Sequence, residues 1–190
     1  MSIFLKKQRV YFGGFLRLLL SKLISSNSFN INTIDKDGLL SAEEIEKAND
    51  EILPLRLVII ALLLNKISKF GNKNFSSNEI GEALGLALGL AYKDTGSANN
   101  VAMELTQRQI DKFGEYFNKL MAISKKDIAE KGPYFFVAFQ YPKFILGENL
   151  DLIIEKNRLK DFLLFEAAKQ IYENEKKYIP KILREFIFLD

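Results

Sequence analysis

At three places along this chain a serine or threonine is followed three residues later by Glu or Gln: Ser41 and Glu44, Ser76 and Glu79, Thr106 and Gln109. In such a pair the first side chain accepts from the amide three residues on. The second reaches back to the amide of the first, so two donors left over at a helix start are satisfied together. Three helix starts, each followed by apolar residues at three- and four-residue spacing, predict an all-α, multi-helix globular domain.

The same spacing places the individual helices. Residues 5–24 carry Phe12, Phe15, Leu16, Leu19 and Leu23 along one face, with Lys6, Gly13, Arg17 and Ser21 opposite. The run Ser25, Ser26, Asn27, Ser28 is expected to end that helix. A short helix follows from Ser41 to about Leu53, and Pro54 opens another to about Lys69. Ser76 opens a helix to about Tyr92, with Gly81, Gly85 and Gly89 at every fourth position. Each glycine costs a helix ~1 kcal/mol relative to alanine, so close approach of a second helix is expected along that stripe. Thr106 is expected to open a helix that Gly132 and Pro133 stop. Residues 134–145 are aromatic and valine-rich, with Pro142 inside, and read as an extended, buried connector. Helices near 149–157, 158–177 and 180–188 complete the expectation. The chain divides into an N-terminal helical region, 1–92, and a C-terminal one, 93–190, packed as one unit.

Composition narrows the chemistry. The chain of 190 residues has no cysteine and no histidine. Disulfides, zinc–thiolate sites, cysteine nucleophiles and imidazole general bases are excluded. Any metal site must be built from oxygen, which selects hard cations such as calcium or magnesium. Net charge is +3, too little to imply nucleic acid. It is unevenly spread: residues 1–34 hold Lys6, Lys7, Arg9, Arg17 and Lys22 with no acid. The next segment holds Asp35, Asp37, Glu43, Glu44, Glu46, Asp50 and Glu51 against Lys36 and Lys47. Self-complementation within the fold accounts for this, and a membrane surface is the alternative partner. Arg17 and Lys22 interrupt the apolar stretch a secretory signal needs. The longest clean apolar run, residues 57–64, is far short of the ~20 residues of a spanning helix. A cytoplasmic, non-enzymatic chain that binds another protein is the expectation.

One segment carries a ligand pattern. Asp35, Asp37, Gly38, Ser41 and Glu44 stand at the spacing of a calcium loop, which takes ligands at positions 1, 3, 5, 7, 9 and 12 around a glycine at 6. Residues 33–44 resemble the EF-hand family on this count. Leu40 fills position 8, where the family has an aliphatic residue, and Phe29 stands where the entering helix has an aromatic. The resemblance implies a metal held by Thr33, Asp35, Asp37, the Leu39 carbonyl, Ser41 and Glu44. Thr33 departs from the family's usual aspartate and brings no charge. Glu79 follows Glu44 by 35 residues and implies a partner loop, with Phe75 and Ser76 matching Leu40 and Ser41. Phe70 and Lys73 stand at ligand and glycine positions there, so that loop is expected to support the first without metal. The resemblance covers residues 18–92 and implies weak calcium binding at most. A turn followed by a capped helix produces the same letters without any metal.

Overall fold

The computed structural model describes residues 7–25 and 29–189. They form seven α-helices: α1 Phe12–Ser25, α2 Ala42–Ile67, α3 Ser77–Asp94, α4 Asn99–Met121, α5 Lys125–Lys131, α6 Pro133–Leu146 and α7 Glu155–Leu183. Strand is confined to two short pairs. β1 (Gln8–Val10) runs parallel to β4 (Phe186–Phe188), and β2 (Lys69–Phe70) is antiparallel to β3 (Lys73–Asn74). The fold is all-α, as the helix-start signals imply.

The chain forms two compact units, neither of them continuous in sequence. The first comprises Met1–Ser26, Ile60–Arg108 and Glu175–Asp190; the second comprises Asn27–Ile59 and Gln109–Asn174. Three of the four boundaries fall inside helices, in α2, α4 and α7.

In the first unit, α1 packs on α3. The expected core positions Phe12, Phe15, Leu16, Leu19 and Leu23 are all buried, with Leu20 beside them. Arg17 reaches across to Asp94, its Nε donating at 2.7 Å. The helix begins at Phe12 because residues 8–10 are drawn out as β1 to pair with β4. Residues 5 and 6 of the expected helix, and Ser26 to Ser28, lie outside the described residues. Phenylalanines from three elements and one loop then meet. The Phe12 ring is 4.5 Å from Phe70 and 4.4 Å from Phe75, and Phe15 meets Phe186 and Phe188 edge-on at 5.4 Å each.

The glycine stripe of α3 is not a tight helix crossing at Gly81 or Gly89. A methyl on Gly81 would meet nothing within 4 Å, and one on Gly89 would make ordinary contact with the Thr106 hydroxyl at 3.5 Å. The buried face of α3 is instead Ile80, Leu84, Ala87, Leu88, Ala91 and Tyr92.

Three further expectations are corrected, all by helices that run through proline. α2 continues past Pro54, α6 contains Pro142, and α7 contains Pro180. An interior proline costs a helix about 3 kcal/mol. Burying one Leu, Ile or Val side chain returns about 1.5–3 kcal/mol, and α2 buries Ile52, Leu55, Val58 and Ile59 around its proline. Residues 134–145 are therefore helix and not an extended connector. Val137, Ala138, Tyr141, Pro142 and Ile145 make the buried stripe, and the Tyr141 hydroxyl donates to the Ala48 carbonyl at 2.8 Å in the second unit. The third capping signal also fails: Thr106 lies inside α4, and its hydroxyl donates back to the Ala102 carbonyl at 2.6 Å. α4 itself starts earlier, at Asn99, and Ser124 caps the next helix, α5, by accepting from the Asp127 amide. At the far end, α7 is one helix from 155 to 183, and residues 186–188 are strand.

Candidate functional site

The turn at residues 33–44 lies in the second unit. Residues 31–33 form a single 3-10 turn capped by Asn30. Gly38 sits at φ +63°, a left-handed conformation that favours glycine at a sharp reversal. Asp35 is buried, and its two carboxylate oxygens accept from the amides of Leu39 at 2.8 Å and Leu40 at 2.9 Å. Asp37 points into solvent, and Thr33, also exposed, donates its hydroxyl to the Asn30 carbonyl.

Ser41 and Glu44 form the reciprocal cap that the sequence implies. The Ser41 amide donates to Glu44 Oε2 at 2.6 Å, and the Glu44 amide donates to Ser41 Oγ at 3.2 Å. The second partner of Glu44 was not foreseeable: the Lys160 ammonium donates to both of its oxygens, at 2.6 and 2.7 Å. Burial alone pushes the Glu44 carboxyl up. The Lys160 ammonium, together with the Ser41 amide and hydroxyl, outweighs it and holds the pKa below the ordinary value. Lys160 thus occupies the face of Glu44 that a bidentate metal would use. Among the described residues no three carboxylates converge on one point. In the first unit, the segment matched to a partner loop is the β2–β3 hairpin, with Gly71 at φ +65° at its turn, followed by the capped start of α3.

A different feature of the second unit has the form of a binding site. α6 and α7 meet through their aromatic residues: Tyr134 stacks on Tyr172 with centroids 4.2 Å apart, and Phe135 meets Phe165 edge-on at 5.9 Å. Between them is a cleft of about 450 Å³, with Ala138 also in its wall and Lys131, Lys169 and Glu173 among its lining. Burial, with Tyr172 second, pushes the Tyr134 phenol up to about 12, so it stays protonated at any physiological pH. The sequence hid this cleft because its walls exist only if residues 133–146 are helical. Once they are, Tyr134, Phe135 and Ala138 fall within about one turn of one another along the wall.

Beyond the cleft the second unit presents a run of exposed apolar residues. Leu152, Ile153 and Ile154 precede α7, and Leu159 and Phe162 follow one and two turns into it; Ile153 is 93% exposed. The turn that holds them is built by Asp151, whose carboxylate accepts from the Ile153 amide and whose carbonyl accepts from Asn157.

No family model, curated protein or solved structure matches the chain. No helix among the described residues is long and apolar enough to cross a membrane.

Proposed function

We propose that this chain is a non-enzymatic helical interaction protein, which docks another protein on the exposed run from Leu152 to Phe162 in the second unit. The observation that carries this reading is the exposure of five large apolar side chains within eleven residues. Contiguous exposed apolar surface is uncommon on a protein that works alone. A protein partner suits it better than a membrane surface. The charges from residue 151 to residue 162 are Asp151, Glu155 and Asp161 against Lys156, Arg158 and Lys160, a balanced set that lacks the basic excess by which anionic lipid is held. The basic helix α1 offers no better membrane face: its apolar side is core, Arg17 is bound to Asp94, and Lys22 lies 5.3 Å from the Tyr178 ring. A photocrosslinker in place of Ile153 should capture one discrete protein in cells, and Phe162→Asp should abolish that product. Crosslinks spread over many proteins and insensitive to Phe162→Asp, or sedimentation with vesicles, would count against the reading.

In the same reading the 33–44 turn binds calcium weakly at most. The support is the Gly38 reversal and the acids around it, and the opposing term is Lys160 on Glu44. A dissociation constant of ~10⁻⁴–10⁻³ M is expected, at the weak end of the range for such loops. Lys160→Met frees Glu44 and Thr33→Asp adds charge, so each should tighten binding. If calorimetry with millimolar calcium gives no heat for the wild type or for either variant, the segment is a turn before a capped helix.

A further inference from the structure

The α6–α7 cleft shares no lining residue with the Leu152–Phe162 surface, and the docking reading does not use it. We propose that it is a binding site for a small organic anion with a planar, aromatic body of two or three rings.

Size sets the body. A cavity of about 150 Å³ lined by apolar residues accommodates benzene, so about 450 Å³ accommodates two to three rings. It also falls within the range of ordinary ligand pockets. Wall chemistry sets the shape. Tyr134 and Tyr172 are already stacked within 25° of parallel. Phe135 is 39% exposed, so its ring offers free surface for an offset or edge-on partner. Tyr134 stays protonated, so its part of the wall carries no negative charge against an aromatic guest.

Charge sets the head group. The Lys131 ammonium lies over the Phe135 ring, 5.4 Å from its centroid, and makes no ion pair among the described residues. Lys169 is shared only with Glu166 on its own helix, at 3.2 Å, with its side chain 57% exposed. Against these two ammonium groups the lining holds one acid, Glu173. An anionic group on the guest therefore meets an ammonium at the mouth while its rings lie against the aromatic wall.

The test uses two dyes that differ in one group: anilinonaphthalene sulfonate, and the uncharged phenylnaphthylamine that lacks the sulfonate. The full chain should bind one sulfonate dye saturably, with a rise in emission. Lys131→Met combined with Lys169→Met should weaken the sulfonate dye roughly tenfold, the worth of a charge-assisted hydrogen bond, and leave the neutral dye nearly unchanged. Phe135→Ala removes an exposed ring, spares the core, and should weaken both dyes. Ile153→Asp combined with Phe162→Asp should leave both unchanged, which separates this site from the docking surface. The proposal is overturned if the wild type shows no saturable binding. It is equally overturned if Phe135→Ala binds like the wild type, if the lysine variant loses both dyes equally, or if the Ile153/Phe162 variant loses the signal.

Discussion

Phe15→Ala is expected to destabilise the folded chain by about 3–5 kcal/mol, the range for emptying a buried phenylalanine position. Phe15 has no exposed surface and meets Phe186 and Phe188 edge-on. The cluster continues through Phe188 to Phe70, 5.3 Å away, and through Phe12 to Phe70 and Phe75. Removing Phe15 opens a void where α1, β4 and the β2–β3 hairpin meet, and the short strands have little else to hold them, because a two-stranded pair is at best marginal alone. Leu18 provides the control. It lies one turn along the same helix but is 54% exposed, so Leu18→Ala should stay within about 0.5 kcal/mol of the wild type. Denaturant melts of both variants decide the matter: equal midpoints would mean that the aromatic cluster is not part of the stabilising core.

Lys112→Met is expected to cost about 3 kcal/mol at neutral pH, for a different reason. Glu51 is buried in the second unit and its carboxylate is met by the Lys112 ammonium. The Tyr116 phenol lies close by, its pKa pushed well up by burial first and by Glu51 second. Deleting one partner of a buried pair strands the other charge, which costs about 3–5 kcal/mol. The low end applies because the Lys112 side chain keeps 23% of its surface exposed. Glu51→Met combined with Lys112→Met should return to within about 1 kcal/mol of the wild type, since a buried pair and a packed apolar pair are often equivalent. A double variant as unstable as the single would show that Lys112 matters through packing and not through charge.

The parts of this fold that are legible in the sequence are those decided locally. The Ser76 and Ser41 caps and the buried stripe of α1 each depend on residues three or four apart, and each stands where the spacing puts it. Prolines mislead because their cost is local while the burial that outweighs it is tertiary. Pro54, Pro142 and Pro180 all lie inside helices for that reason. Thr106 misleads because a hydroxyl that can cap a helix can equally bond back to the carbonyl four residues earlier. The aromatic cleft and the Glu44–Lys160 pair were out of reach for a related reason. One needs α6 to be a helix at all, and the other joins residues 116 apart. What the EF-hand-like letters do capture is the Gly38 reversal and the Ser41–Glu44 cap.

The parallel pairing of β1 with β4 joins Gln8 to Phe186 and Val10 to Phe188, and this bears on how the protein is made. A chain leaves the ribosome N-terminus first, at ~5–20 residues per second. Phe12 and Phe15 therefore emerge long before the strand that covers them has been translated. Through that interval the first unit holds an uncovered aromatic surface, the kind of surface chaperones and aggregation partners recognise. A chain that stops short of Phe186, or a protease cut just ahead of β4, would leave the same surface open for good.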